Sequence, residues 1–233
     1  MSTYSTVSSW VVSVSRLGRG YVATLGGSQP RQPIEIFEFE GCPFCRKVRE
    51  VVSELDLEYV CRPCFKGSNN RQRAIEVGGK TLFPLLVDHD AGEVMYESED
   101  IISYLTDRYG PKHRSGLSRT VAPLNTAGAM LASALRPTRG SRVRPECADR
   151  EQPAELLELW SFEASPYCRK VRERLGELNL DYLVHNVAKK SARRPQLVAL
   201  GGKMQVPYLV DPNTQTALYE SEDINAYLTE TYG

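Results

Sequence analysis

Phe39-Glu40-Gly41-Cys42-Pro43-Phe44-Cys45-Arg46-Lys47-Val48-Arg49-Glu50 returns 123 residues later as Phe162-Glu163-Ala164-Ser165-Pro166-Tyr167-Cys168-Arg169-Lys170-Val171-Arg172-Glu173. The likeness runs on in both directions. Residues 37–110 and 160–233 align without a gap, with about 34 of 74 positions identical. Gly78-Gly79-Lys80 matches Gly201-Gly202-Lys203, and Tyr96-Glu97-Ser98-Glu99-Asp100-Ile101 matches Tyr219-Glu220-Ser221-Glu222-Asp223-Ile224. The chain is a tandem duplication, and its fold is that of one unit met twice.

Within the first unit, Ile34 to Phe39 alternates apolar and polar residues and predicts a strand. After Pro43, the spacing of Val48, Val51, Val52 and Leu55 lays one apolar face along a helix. Leu57 to Cys61 predicts a second strand, and Arg71–Val77 a weaker helix stopped by Gly78-Gly79. Phe83–Asp88 and Val94–Tyr96 read as a hairpin, after which Ser98 stands where an N-cap belongs, with Ile101, Tyr104 and Leu105 facing inward. The organisation expected is an extension over 1–32, a first repeat over 33–110, a basic connector over 111–154 and a second repeat over 155–233.

The 233 residues carry 29 Lys+Arg against 29 Asp+Glu, a balance that argues against nucleic-acid binding. No apolar run is long enough for a membrane span. Two short apolar stretches, Trp10–Val14 and Ala127–Leu135, precede the repeats; they read as helices packing on the next unit, or as a peripheral membrane or protein-complex contact. Each is followed by a related segment, Arg16-Leu17-Gly18-Arg19-Gly20 and Arg136-Pro137-Thr138-Arg139-Gly140. The first 34 residues hold three Arg and no acid, the composition of an organellar transit segment.

Four of the six cysteines lie in two Cys-x-x-Cys pairs. Cys42-x-x-Cys45 and Cys61-x-x-Cys64 have the spacing of a zinc site. The residues between them, however, form a helix and a strand, and the second repeat keeps the pattern with Ser165, Val184 and Val187 in place of three of the four. No metal is expected. Cys42 instead falls at a helix start with Pro43 in the first turn, where the helix dipole and unpaired N–H groups favour a thiolate. Cys45, one turn on, is a shielded thiol within reach of a disulfide, so the pair is suited to thiol–disulfide exchange. Cys64 reads as an auxiliary resolving thiol or a buried one, and Cys147 as incidental.

A β-α-β-α-β-β-α unit with Cys-Pro-Phe-Cys at its first strand-to-helix turn resembles the thioredoxin fold, and more closely glutaredoxins and the amino-terminal domain of glutathione S-transferases. The resemblance covers both repeats and implies an α/β protein of two tandem thioredoxin-like domains, each a mixed four-stranded sheet with three helices. It implies Cys42 as nucleophile and Cys45 as resolving thiol. It also implies a cis Pro84, whose neighbour Phe83 pairs with the cysteinyl part of glutathione, and a Glu97-Ser98 pair holding the γ-glutamyl end. Ser165, Val206, Pro207, Glu220 and Ser221 are the counterparts in the second repeat, a second glutathione site or a purely structural copy. Because Ser165 replaces the first cysteine, that repeat is expected to be redox-silent, with Cys168 buried as a small hydrophobe. Arg46 and Lys47 suit either the glycyl carboxylate of glutathione or the helix surface, and are left unassigned.

The resemblance implies a glutathione-dependent thiol–disulfide oxidoreductase of glutaredoxin type. Glutathione would be its co-substrate, a disulfide-containing or glutathionylated protein its substrate, and a chloroplast of plants or algae, or else the cytoplasm, its place. The alternatives are a non-catalytic glutathione-binding or protein-assembly factor and a glutathione transferase. The last lacks the all-helical domain that normally follows such a unit. One departure stands out: Glu40-Gly41 precedes the motif where glutaredoxins commonly carry Lys. A carboxylate there is expected to oppose the Cys42 thiolate and raise its pKa.

Overall fold

The computed structural model of the protein describes residues 19–24, 27–111 and 141–233. The two apolar stretches, Trp10–Val14 and Ala127–Leu135, lie outside these residues. Among the described residues no helix is long and apolar enough to cross a membrane.

The first repeat folds as β1 (Ile34–Glu38), α1 (Pro43–Glu54), β2 (Tyr59–Pro63), α2 (Asn70–Gly78), β3 (Leu85–Asp88), β4 (Glu93–Met95) and α3 (Ser98–Tyr109). The second repeats that order as β5 (Leu157–Ser161), α4 (Pro166–Glu177), β6 (Tyr182–Asn186), α5 (Arg194–Gly201), β7 (Tyr208–Asp211), β8 (Thr216–Tyr219) and α6 (Ser221–Tyr232). The expected β-α-β-α-β-β-α unit is therefore present twice. The apolar face of α1 is buried as its spacing predicts, with Val48, Val51, Val52 and Leu55 all under 5% exposed. Burying each such side chain contributes roughly 1.5–3 kcal/mol. Gly79 and Gly202 end α2 and α5 in the left-handed conformation, where the Gly-Gly pair placed a stop.

In each repeat the first two strands run parallel and the third and fourth antiparallel to their neighbours, giving a mixed four-stranded sheet. The two sheets then become one. Strand β2 pairs antiparallel with β6, Tyr59 opposite Val184, Val60 opposite Leu183 and Cys61 opposite Tyr182. The result is a single eight-stranded sheet, β4-β3-β1-β2-β6-β5-β7-β8. Adding 123 to one partner and subtracting it from the other carries Tyr59–Val184 onto Cys61–Tyr182, so the junction has the isologous form of a two-fold dimer interface inside one chain. The union also hides the two edges most in need of cover, β2 and β6.

The joined sheet carries a shared core cluster, with a smaller cluster in each repeat. Ile34, Val51 and Leu55 of the first repeat and Leu157, Val171 and Leu175 of the second belong to the same buried cluster. The segments preceding each repeat complete the exchange. Tyr21 and Ala23 bond backbone-to-backbone with Lys189 of the second repeat, and Ser141 and Val143 do the same with Lys66 of the first. The described residues that follow the two related segments thus play one structural role. Cys147 lies in a short 3-10 turn, Pro145–Cys147, buried in the shared core.

The two-fold is imperfect where shape matters. Gly176 of α4 leaves room for the Phe65 ring, into which any Cβ would project. At the corresponding positions across the pseudo-dyad stand Ser53 and Ala188. Ser53 uses its hydroxyl instead, donating to the Gly20 carbonyl (2.9 Å) and lying 3.0 Å from Asn186 Oδ1.

Candidate active site at the Cys42 turn

Cys42 is the N-cap of α1, with extended backbone (φ −76°, ψ 121°) and Pro43 in the first turn. Its Sγ accepts a hydrogen bond from Cys45 N–H at 3.2 Å, so one of the unpaired amides of the helix start is aimed at the sulfur. As a thiol, Cys42 also faces the Phe83 carbonyl at 3.9 Å. The Phe83–Pro84 and Val206–Pro207 peptides are both cis, as the resemblance implied. The structure therefore brings Cys42, Cys45 and Phe83-Pro84 together.

The two thiols are set far apart in acidity. Cys42 is lowered, first by its hydrogen bond with Cys45, then by the backbone amides of Cys45 and Phe44 and by the Arg49 charge, all against burial. Cys45 is fully buried, and burial together with the Cys42 contact pushes it well above the ordinary thiol value. A pair with one accessible charge state and one shielded proton is the arrangement exchange chemistry requires. Cys42 itself is only 3% exposed, while Phe44 beside it is 40% exposed.

The expectation that Glu40 raises the Cys42 pKa is overturned. Glu40 is buried, and its carboxylate is held by Arg172 (Nε 2.9 Å, Nη2 3.3 Å), Arg169 (Nε 3.3 Å) and Arg49 (Nη2 3.3 Å). Burial pushes the Glu40 carboxyl up, but the three guanidinium groups more than offset this and hold it far below the usual range. A carboxylate already paired with several cations repels a neighbouring thiolate little. Arg46 and Lys47 are equally not surface residues: Arg46 lies buried 4.0 Å from Glu163, and the buried Lys47 ammonium pairs with Glu99. Lys47 thereby ties α1 to the start of α3, where Glu97 and Ser98 stand.

That start differs in detail from the sequence reading. Glu97, not Ser98, occupies the N-cap position, with a left-handed φ of 63°, and makes no side-chain capping bond; Ser98 is the first helical residue and is buried. The Glu97 side chain is left exposed. Glu220 repeats the conformation (φ 67°), but its carboxylate accepts from Gln205 Nε2, whose place in the first repeat is taken by Leu82. Ser165 accepts from Cys168 N–H at 3.3 Å, as Cys42 does from Cys45. Cys168 is fully buried, and burial raises its pKa.

The remaining cysteines are structural. Cys61 donates to Glu38 Oε1 (3.5 Å) and Cys64 to the Arg62 carbonyl (3.4 Å). Cys64 sits fully buried against Phe37, Ala74, Leu85 and Val87. Burial raises it strongly, and its thiol hydrogen bond runs back to β2. Among the described residues no group of His, Cys, Asp and Glu could hold a metal ion. One residue beside the site was missed. Arg71 donates from Nε to the carbonyls of Cys64 and Phe65, and its guanidinium lies 5.2 Å from the centre of the Phe83 ring. Arg194 makes the same pair of bonds to Val187 and Ala188. The signal was available, because Arg71 and Arg194 are identical across the repeats.

Fold and turn together define a tandem thioredoxin-like protein. The model of the glutathione S-transferase N-terminal domain matches residues 36–113 and again 159–233, and the chain belongs to that family. Among solved structures it is similar to a Bombyx mori glutathione transferase, at 26% identity over 37% of this chain and 43% of that one, with a TM-score of 0.31. It thus spans less than half of that transferase. A trimeric glutathione transferase of Leishmania is matched over 87% of this chain and 67% of its own, at 14% identity and a TM-score of 0.30. No curated protein matches the chain.

Proposed function

We propose that the protein is a glutathione-dependent thiol–disulfide oxidoreductase of glutaredoxin type, with chemistry confined to the first repeat. The observation that carries this reading is the Cys42 sulfur at the α1 N-terminus, receiving the Cys45 amide while Cys45 keeps its proton. The Cys42 thiolate attacks one sulfur of a glutathionylated substrate; the disulfide breaks, the substrate thiolate leaves and takes up a proton, and glutathione remains bonded to Cys42. A second glutathione thiolate then attacks that mixed disulfide, releasing oxidised glutathione and the Cys42 thiolate. For a protein disulfide, Cys45 gives up its proton and closes on Cys42 instead, and two glutathione molecules reopen the pair. Phe83 pairs with the cysteinyl part of the tripeptide. Glu97 and Ser98 take its γ-glutamyl end, and the Arg71 guanidinium on the Phe83 ring is available to a carboxylate. The location proposed with this reading is a plastid or, as the alternative, the cytoplasm.

The test is reduction of a small glutathione mixed disulfide by glutathione, NADPH and glutathione reductase. Turnover lost in Cys42→Ser and kept in Cys45→Ser establishes a monothiol route; loss in both makes the dithiol obligatory. A second reading, a non-catalytic glutathione-binding or assembly protein, draws on the near-complete burial of Cys42. Folded wild-type protein without turnover would decide for it.

A further inference from the structure

Between the repeats lies a buried cluster of charge that the proposed chemistry does not use directly. Glu163 is the counterpart of Glu40, and each carboxylate is bound by arginines of the opposite repeat. Arg49 reaches Glu163 (Nε 2.9 Å, Nη2 3.4 Å) as Arg172 reaches Glu40, and Arg172 also contacts Glu163 at 2.8 Å. Arg49 further pairs with Glu38 at the end of β1. All these groups are under 6% exposed. At such burial an uncompensated charge costs several kcal/mol, so the cluster is held in one arrangement.

The cluster is adjacent to the nucleophile. Glu40 and Gly41 form the turn that delivers β1 to Cys42, and two of the three guanidiniums on Glu40 come from α4, in the repeat whose own motif has lost its first cysteine. We infer that Arg172 is a positioning residue for Cys42: its guanidinium clamps the Glu40 carboxylate, fixing the turn beneath the thiol and cancelling the negative charge two residues ahead of it. The second repeat is then an in-chain subunit that completes the electrostatic setting of the first repeat's thiol.

The inference rests on the reading of Cys42 as a reactive thiolate, not on any disulfide substrate. The charged and titratable groups facing Glu40 and Cys42 are Glu38 from β1, Cys45, Arg46 and Arg49 from α1, Glu163 from the turn before α4, and Arg169 and Arg172 from α4 itself. Arg172 is the group whose removal costs Glu40 most, since it donates to both oxygens of that carboxylate.

The experiment is the pH dependence of Cys42 alkylation by iodoacetamide in the full-length protein, read by mass spectrometry of the Cys42 peptide. Arg172→Met is expected to move the midpoint up by about one pH unit, because the neighbouring carboxylate loses one of its three compensating cations. Glu40→Gln is expected to move it down, and Glu40→Gln in the Arg172→Met background to bring it back towards wild type. A merely structural role for Arg172 would lower reactivity at every pH without opposite shifts and without rescue. Unmoved midpoints, or shifts of one sign in both single variants, overturn the inference. If Arg172→Met does not fold, Arg172→Lys is read in its place: a smaller upward shift is expected, and an unmoved midpoint overturns the inference. Alkylation needs neither glutathione nor a disulfide. Opposite shifts in a protein without turnover would uphold the inference and sink the oxidoreductase reading, and turnover with unmoved midpoints would do the reverse.

Discussion

The turn at Cys42 and the turn at Ser165 are the same piece of backbone carrying different chemistry. Both N-cap side chains accept the amide three residues on, both helices begin with proline, and both are followed by Arg, Lys, Val, Arg and Glu in the same order. They differ in sulfur against oxygen at the N-cap, in Gly41 against Ala164 and in Phe44 against Tyr167. Their surroundings have diverged too: the Glu220 carboxylate is occupied by Gln205, whereas Glu97 faces solvent. What has not diverged is the set of arginines and glutamates that joins the halves. The second turn carries Ser165 where the first has Cys42, yet the α4 helix it opens still carries the Arg172 that binds Glu40 in the other half.

The largest effect should come from the sulfur. Cys42→Ser gives the first turn the N-cap residue of the second and should abolish glutathione-dependent disulfide reduction, read in the coupled NADPH assay. Ser165→Cys is the converse: it should add a second iodoacetamide-reactive thiol under native conditions, counted by mass spectrometry. If it adds none, the second repeat has lost more than an atom.

Next comes the junction. Arg49→Met removes the cation shared by Glu38, Glu40 and Glu163 and should cost about 3–5 kcal/mol, the usual penalty for orphaning buried partners. Urea unfolding followed by circular dichroism measures it, and a single transition is expected because the two repeats share one sheet and its largest core cluster. Two transitions would break the picture of one folding unit.

The fit of unlike residues across the pseudo-dyad gives a smaller effect. Gly176→Ser restores the first repeat's residue but drives a side chain into the Phe65 ring; overpacking of this kind costs about 1–3 kcal/mol. The same substitution with Phe65→Ala should recover part of the loss, and a failure to do so would remove the shape argument.

The pH dependence of stability follows from the carboxylates. Burial raises Glu40 and Glu163, but arginines overcome it; Asp88 and Asp211 are likewise lowered despite burial, by Tyr104 and Tyr109 and by Tyr227 and Tyr232. A carboxylate lowered on folding stabilises the native state above its unfolded pKa, and that contribution is lost as pH falls through the folded value. Stability should therefore fall below about pH 4.5, the ordinary glutamate range. Glu38 is the exception, raised by burial, and its contribution grows on acidification. Glu38→Gln should accordingly steepen the acid loss, measured as urea midpoints at pH 6 and pH 3.

The smallest effect is at a loop. Lys190 adopts a φ of 73° where the first repeat has Gly67 at 95°. Lys190→Gly relieves that conformation and should stabilise by under about 1 kcal/mol, offset in part by added freedom in the unfolded chain. A thermal melt beside wild type reads the sign.

The sequence by itself determined the unit: its strand and helix order, its apolar faces and the place of the cysteines on a helix start. These are local properties, set by periodicity, proline and glycine, and the duplication displayed them twice. It also displayed Glu40, Arg49, Glu163 and Arg172 as identical positions, without saying what they touch. Only the tertiary structure decided that the two sheets are one, that the segment before each repeat bonds to the other repeat, and that Glu40 is no obstacle to a thiolate. The reason is physical. Whether a carboxylate opposes its neighbour depends on the cations that surround it, and those on Glu40 come chiefly from residues 169 and 172, more than 120 positions away along the chain.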